Sequence, residues 1–286
     1  AIMGLLKNYE AINPFISSTT DSLNRLKPGF EAPICIVTSL GEDPSVPSRN
    51  RTILCGLVRD IDNPLATRFE LRAPNPYTNT YTALALIYMA AFDGMSYVIN
   101  SGKTPDALLA ELSKKPEDDA DYLEKGRAYR SEKDVFEDYT PEERDAMFSV
   151  PPATVWENIL GYKNNPDKVA ALTRGDAFSK TLMDSFMAGV MTRWTLELTG
   201  RIIPSNIKAV RAMTALHGDD AADIARWDAV NDLRVYLAKD TVSAKSLFTR
   251  VAEAIAAKDY DEASKLQVEM NDKMQLLEAK YADYTK

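Results

Sequence analysis

Along the first seventy residues, apolar side chains come in short runs rich in branched residues, at 34–38, 53–58 and 68–71, each bounded by Pro, Gly, Asn or Asp. Such runs predict β-strands. SLGEDPSVPSRN separates the first two and DIDNPLAT the second and third, and both read as surface connections. In the third run, RFELR, the residues Arg68, Glu70 and Arg72 alternate with Phe69 and Leu71. On an extended chain the three charges share one face, about 7 Å apart, and the two apolar groups share the other.

From 81 to 98 the pattern changes to YTALALIYMAAFDGMSYV, apolar nearly all round. It predicts a helix packed on several sides, lying against the back of the sheet. Residues 104–139 are charge-dense and broken by Pro116, which predicts short exposed helices or a mobile linker. Beyond Pro151 helical segments are expected at 153–160, 178–198, 205–216, 220–237 and from 243 to the end, separated by Gly and Pro signals. In the last segment Ala263, Leu266, Met270, Met274, Leu277 and Tyr281 recur three or four apart, one apolar stripe suited to core packing. The pattern predicts an α+β chain in three regions, 1–100, 101–150 and 151–286. There is no internal repeat and no low-complexity tract.

Composition narrows the function classes. The 286 residues are 45% hydrophobic and 27% charged, as in soluble globular proteins, and the net charge of −8 argues against nucleic acid or anionic lipid as partners. No run approaches the roughly 18 uninterrupted apolar residues of a membrane span and no basic-then-apolar leader opens the chain, so a cytoplasmic address and no membrane partner are expected. Cys35 and Cys55 sit in the apolar runs PICIV and ILCGLV, which suits buried reduced thiols better than a disulfide or a metal site. The single histidine, His217, precedes Gly218 at an expected helix end, an ordinary capping arrangement with no nucleophile or second ligand nearby.

The charged strand has two readings. The bland one is a solvated sheet face whose cross-strand ion pairs contribute well under about 1 kcal/mol each. The functional one is a binding surface holding a cation at Glu70 and anions at both arginines, which suits a metal nucleotide beside an acidic substrate. Upstream, NRLKPGFEAP and SRNRT place further arginines and a glutamate on or beside loops, and the prolines of APNPYTN force an abrupt exit from the strand.

GLLKNYEAI, TTDSLNRLKPGFEAP, RNRT and RFELRAPNPYTNTYTALALIYMAAFDGM, in this order and spacing, resemble the C-terminal half of the catalytic domain of glutamine synthetases over about residues 4–100. The resemblance implies short antiparallel strands packed on a long helix. The mostly helical remainder is similar to the extended C-terminus of the type III enzymes, where oligomer contacts are expected. It also implies roles. Arg25 and Arg72 bind the amino-acid substrate, with Arg72 also holding the transferred phosphate, and Arg51 contacts the phosphates. Arg68 faces the nucleotide, Glu70 binds a divalent metal, and Glu31 on a flap takes the proton of attacking ammonium. The implied reaction makes glutamine from glutamate, ammonia and ATP, with Mg2+ or Mn2+, through a γ-glutamyl phosphate in a homo-oligomer. Fixed guanidinium groups and metals suit the charge that spreads over the phosphoryl oxygens, and a shielded carboxylate suits deprotonation of ammonium.

The departures are specific. Gly56 stands where the family has a further arginine, with Arg59 a substitute only on realignment; Asn75 stands where the turn has Asp; the 31–51 connection is longer than usual. The chain opens inside what would be the catalytic domain, without most metal-binding carboxylates, so the resemblance implies a C-terminal fragment inactive alone. A glutamate–amine ligase of the same fold and a non-catalytic helical interaction module with a vestigial site are the alternatives.

Overall fold

The computed structural model describes residues 1–23, 35–43, 46, 48, 50–60, 62–176, 178–216, 218 and 220–286. In chain order the elements are α1 (Ile2–Ile16), α2 (Thr20–Leu23), β1 (Cys35–Ser39), β2 (Ile53–Val58), β3 (Arg68–Leu71), α3 (Thr80–Ser101), α4 (Pro105–Leu112), α5 (Pro141–Phe148), α6 (Val155–Lys163), α7 (Pro166–Leu172), α8 (Lys180–Glu197), α9 (Ile203–Ala212), α10 (Ala221–Ala238), α11 (Leu247–Ala256) and α12 (Tyr260–Tyr284). This is an α+β fold with a small sheet. Residue contacts divide the chain into two compact units, Ala1–Val190 and Met191–Lys286.

In the first unit the sheet order is β1-β2-β3. The antiparallel expectation holds for β2 and β3, with Cys55 opposite Leu71 and Val58 opposite Arg68. It fails for β1 and β2, which run parallel, because the long 40–52 connection carries the chain back to the starting edge. One face buries Cys35, Val37 and Ile53 with Ala128, Val135 and Phe148. Burial pushes both Cys35 and Cys55 thiols up to about 12, so both stay protonated, and both are free of disulfides.

Helix α1 is the core of this unit, with 12 of its 15 residues buried. It packs on β1, α3, α6 and α7. Pro14 lacks the N–H that would bond the Glu10 carbonyl four residues back, so that carbonyl is free to face outward. Helix α6 approaches there through Gly161, where an added Cβ would lie 2.9 Å from the Glu10 oxygen. The α1–α3 crossing is closer still: a Cβ on Gly4 would fall 2.0 Å from the Ala90 carbonyl, and one on Gly94 would fall 2.5 Å from the Gly4 nitrogen.

Helix α3 corrects one expectation. Its packing partners are α1 and α7, not the sheet, because the small residues Ala83, Ala90 and Gly94 fit it against Gly4. Its opposite face is not packed on other elements: Tyr81, Tyr88, Phe92 and Ile99 are all more than half exposed. Among the described residues α3 alone is long and apolar enough, by length and composition, to cross a membrane. Asp93 in its fourth turn is bonded to Asn8 and to the Tyr122 hydroxyl, which fastens it to neighbouring segments.

The charge-dense stretch after α3 lies against the sheet. The Thr38 N–H donates to the Tyr129 carbonyl at 2.8 Å and the Ser131 N–H to the Thr38 carbonyl at 3.0 Å, extending the sheet beside β1. The Glu132 carboxylate accepts from the Leu40 and Gly41 N–H groups, and Leu123, Tyr129 and Val135 are buried. Helix α5 starts with a full capping box of Thr140 and Glu143.

In the second unit α10 and α11 pack on α12. The expected stripe forms from Ala263 to Leu277, with Ala263, Leu266, Met270, Met274 and Leu277 buried, but Tyr281 is only half-buried and Tyr284 is buried in its place. Trp194 donates its indole N–H to the buried Gln267 at 2.7 Å. The segment expected to run unbroken from 243 divides, because Lys258 takes a left-handed φ of 59° and Asp259 then caps α12 by accepting from the Glu262 N–H.

Candidate functional site

Strand β3 lies at the sheet edge, and its exposure pattern follows from that position. Arg68 and Glu70 are exposed and Arg72 half-buried, but Phe69, on the other face, is also half exposed. The expected division into one wet and one buried face is therefore incomplete. Glu70 stands opposite Gly56 in the ladder, so no side chain from β2 covers it. Its carboxylate is instead met by Arg72, with Nη1 3.3 Å from Oε1, while the Arg72 backbone N–H donates to the Leu54 carbonyl at 2.9 Å. Arg68 turns back to donate to the Ala66 carbonyl at 3.3 Å.

Arg51 lies just before β2, exposed, between residues fixed by hydrogen bonds: Asn50 donates to the Lys133 carbonyl and accepts from the Thr52 N–H. Arg51 lies two residues before β2, at the end of the sheet away from the Val58–Arg68 pair. The cleft that Arg51 lines also holds Glu42, Glu132, Asp134 and Glu137. Arg25 and Glu31 lie outside the described residues, as does His217. The structure thus brings Glu70 and Arg72 together, sets Arg68 beside them on one edge strand, and places Arg51 at the other end of the ladder.

Residues 1–125 match the family model described as the glutamine synthetase catalytic domain. Over 114 residues the chain is 38% identical to the glutamine synthetase of Rhizobium leguminosarum bv. viciae, covering 40% of this chain and 22% of that protein. The Azospirillum brasilense enzyme is 33% identical over 155 residues, covering 48% of this chain and 31% of the relative. That of Frankia alni is 37% identical over 118 residues, 41% and 23% respectively. Over residues 1–125 the chain is therefore similar to glutamine synthetases. The chain spans between about a fifth and a third of the length of these relatives.

Two of the three departures, Asn75 and Gly56, have a visible structural setting. Asn75 donates from its amide nitrogen to the Ile16 carbonyl at 2.9 Å while its oxygen accepts from the Tyr77 N–H, and the Thr78 hydroxyl donates to the same Ile16 carbonyl. A carboxylate cannot make the first of these bonds, so Asn75 ties the exit of β3 to the end of α1. Gly56 pairs with Glu70, and a Cβ added there would lie 3.1 Å from the Ile53 side chain, so a longer residue would have to displace that neighbour.

Divalent cations take six or more oxygen ligands or an octahedron completed by water and phosphate. Among the described residues no group of three or more His, Cys, Asp or Glu side chains is placed to hold a metal ion, and Glu70 offers one carboxylate already paired with Arg72. These residues alone do not fit the cation.

One cluster escaped sequence reasoning. Glu10 receives Arg127 at 2.8 Å and Lys168 at 2.6 Å, and Lys168 also meets Glu124 at 2.6 Å, with Arg127 and Lys168 both nearly buried. Burial pushes the Glu10 carboxyl up, but Lys168 and Arg127 outweigh that and hold it below the usual carboxylate range. Its members are 117 and 158 residues from Glu10, and no local pattern joins them.

Proposed function

We propose that this chain contributes part of the substrate and phosphoryl site of an ATP-dependent glutamate–ammonia ligase. The observation that carries the reading is the Glu70–Arg72 pair, set on β3 inside the segment that matches the glutamine synthetase catalytic domain. In this reading a glutamate side-chain carboxylate oxygen attacks the terminal phosphorus of ATP, releasing ADP and forming an acyl phosphate. The nitrogen of ammonia then attacks the acyl carbon, the C–O bond to phosphate breaks, and the nitrogen loses a proton. Arg72 and Arg25 hold the amino acid, Arg51 and Arg68 face the phosphates and nucleotide, Glu70 contributes one ligand to a metal completed by other donors, and Glu31 takes the proton. A homo-oligomer assembled through the helical region fits the same reading.

With a single carboxylate at the site, residues 1–286 alone are expected to release no phosphate from ATP that depends on glutamate and ammonia. A second reading, a glutamate–amine ligase, draws on Gly56, which stands where the resemblance places an arginine and sits opposite Glu70. The test is hydroxylamine trapping in the complete gene product, since an acyl phosphate reacts to a coloured hydroxamate. ATP- and glutamate-dependent hydroxamate, with phosphate release faster on ammonia than on a diamine, is the expected result. Faster release on the diamine selects the second reading, and no hydroxamate at all rejects both.

A further inference from the structure

Arg72 is the first residue past β3, so the chain just beyond it decides where its guanidinium lies. Its N–H donates to the Leu54 carbonyl at 2.9 Å, one step past the ladder pair of Cys55 and Leu71. The chain then leaves the sheet through Ala73, Pro74, Asn75 and Pro76. Neither proline has an N–H, so the backbone alone offers this exit few donors with which to anchor itself.

Two side chains supply the anchor. The Asn75 amide nitrogen and the Thr78 hydroxyl both donate to the Ile16 carbonyl at 2.9 Å, one of the carbonyls left without a helical partner where α1 ends. The turn is also closed on itself: the Asn75 N–H donates to the Thr78 hydroxyl at 3.0 Å, the Tyr77 N–H to the Asn75 amide oxygen at 3.0 Å, and the Thr78 N–H to the Asn75 carbonyl at 2.9 Å. The amide donor belongs to this chain, since the aspartate that the resemblance places at 75 has no hydrogen to give when ionised.

The point of attachment lies in the core. Ile16 is fully buried, and the next carbonyl, that of Ser17, accepts from the buried Asn158 of α6 at 2.9 Å. Ala73, between the two ties, is buried as well. Arg72 is thus held by the sheet at its own N–H and by α1 three residues on, while its side chain meets Glu70 at the sheet edge.

We infer that Asn75 and Thr78 are positioning residues: through the Ile16 carbonyl they fix the backbone from which Arg72 reaches the acidic substrate and its phosphoryl group. The inference rests on the ligase reading above. Misplacing a binding group by about 1 Å is enough to cost about a hundredfold in rate, so a clasp this close to Arg72 has consequences for turnover.

The test places Asn75→Ala and Thr78→Val in the complete gene product, each with and without Arg72→Ala. It reads kcat/KM for glutamate beside hydrogen exchange of the 68–79 backbone by mass spectrometry. With Arg72 present, each clasp variant should lower kcat/KM about tenfold; with Arg72→Ala it should change it by less than about twofold, because a residue that works through Arg72 then has nothing left to place. Thr78→Ser, which keeps the hydroxyl, should retain the unaltered value. Exchange across 68–79 should quicken at least about tenfold in both clasp variants, and either variant suffices should the other not fold. Unchanged exchange would show that the clasp does not hold the exit, and a loss of kcat/KM that persists undiminished beside Arg72→Ala would show that it does not act through Arg72; either result overturns the inference. Failure of the ligase reading is read separately, as no loss on Arg72→Ala alone, and takes the inference with it.

Discussion

Glu111 illustrates how far a single carboxylate shapes this fold. It accepts from the Tyr97 hydroxyl at 2.7 Å, from Lys103 at 2.9 Å and from the N–H groups of Tyr122 and Leu123, and so fastens the end of α3 to the segment that follows α4. Burial pushes its carboxyl up, but these hydrogen bonds outweigh burial and bring it down to about 2. A carboxylate with a folded value below its unfolded one stabilises the fold fully above about pH 4.5, and that contribution disappears as pH falls toward 2. With water reaching the Lys103 side, the contribution is about 1–2 kcal/mol. Urea titrations at pH 6 and pH 3 should therefore differ less for Glu111→Gln than for the unaltered chain, whereas equal pH sensitivity would show that Glu111 is not a source of the acid lability. The residues of the proposed ligase site differ in kind from Glu111: Glu70 and Arg72 meet at an exposed edge, and their pairing contributes little to stability.

At the scale of elements, the organising contact is the α1–α3 crossing. Two glycines face each other there, and neither leaves room for a methyl group, since the obstructing atoms are backbone. Gly94→Ala must push the helices apart and open the packing of Ala90 and Leu86 on α1, costing about 1–3 kcal/mol or more. Thermal unfolding should show a drop of several degrees for Gly94→Ala and almost none for Gly189→Ala, whose added Cβ meets nothing within 4 Å. An unchanged midpoint for Gly94→Ala would mean that the crossing is looser than it is drawn here. This contact was invisible in the alternation of apolar and polar residues. YTALALIYMAAFDGMSYV has no polar face, so its pattern shows a helix without showing which side is packed. The small residues that choose the side matter only because Gly4 lies opposite.

For the molecule as a whole, the local signals and the long-range ones fared differently. RFELR was legible as a strand, and the placing of Glu70 and Arg72 on one face follows from alternation alone. The terminal stripe from Ala263 to Leu277 was legible for the same reason, as a period of three or four needs no partner to be seen. The parallel β1–β2 pairing was not, because strand direction is decided by how the 40–52 connection runs. The cluster of Glu10, Arg127, Lys168 and Glu124 was hidden because its members come from three distant segments, with Arg127 and Glu124 in a charge-dense stretch that resembles a solvated surface. The central proposal rests on one residue of the segment similar to glutamine synthetases: that Arg72, anchored through Leu54 and beside Glu70, grips the acidic substrate and its phosphoryl group. The most direct measurement is kcat/KM for glutamate in the complete gene product carrying Arg72→Ala, alongside its thermal midpoint. A fall of at least about a hundredfold with the midpoint unchanged is expected for loss of a charge held against substrate and transition state; a value within about twofold of the unaltered protein would contradict the claim.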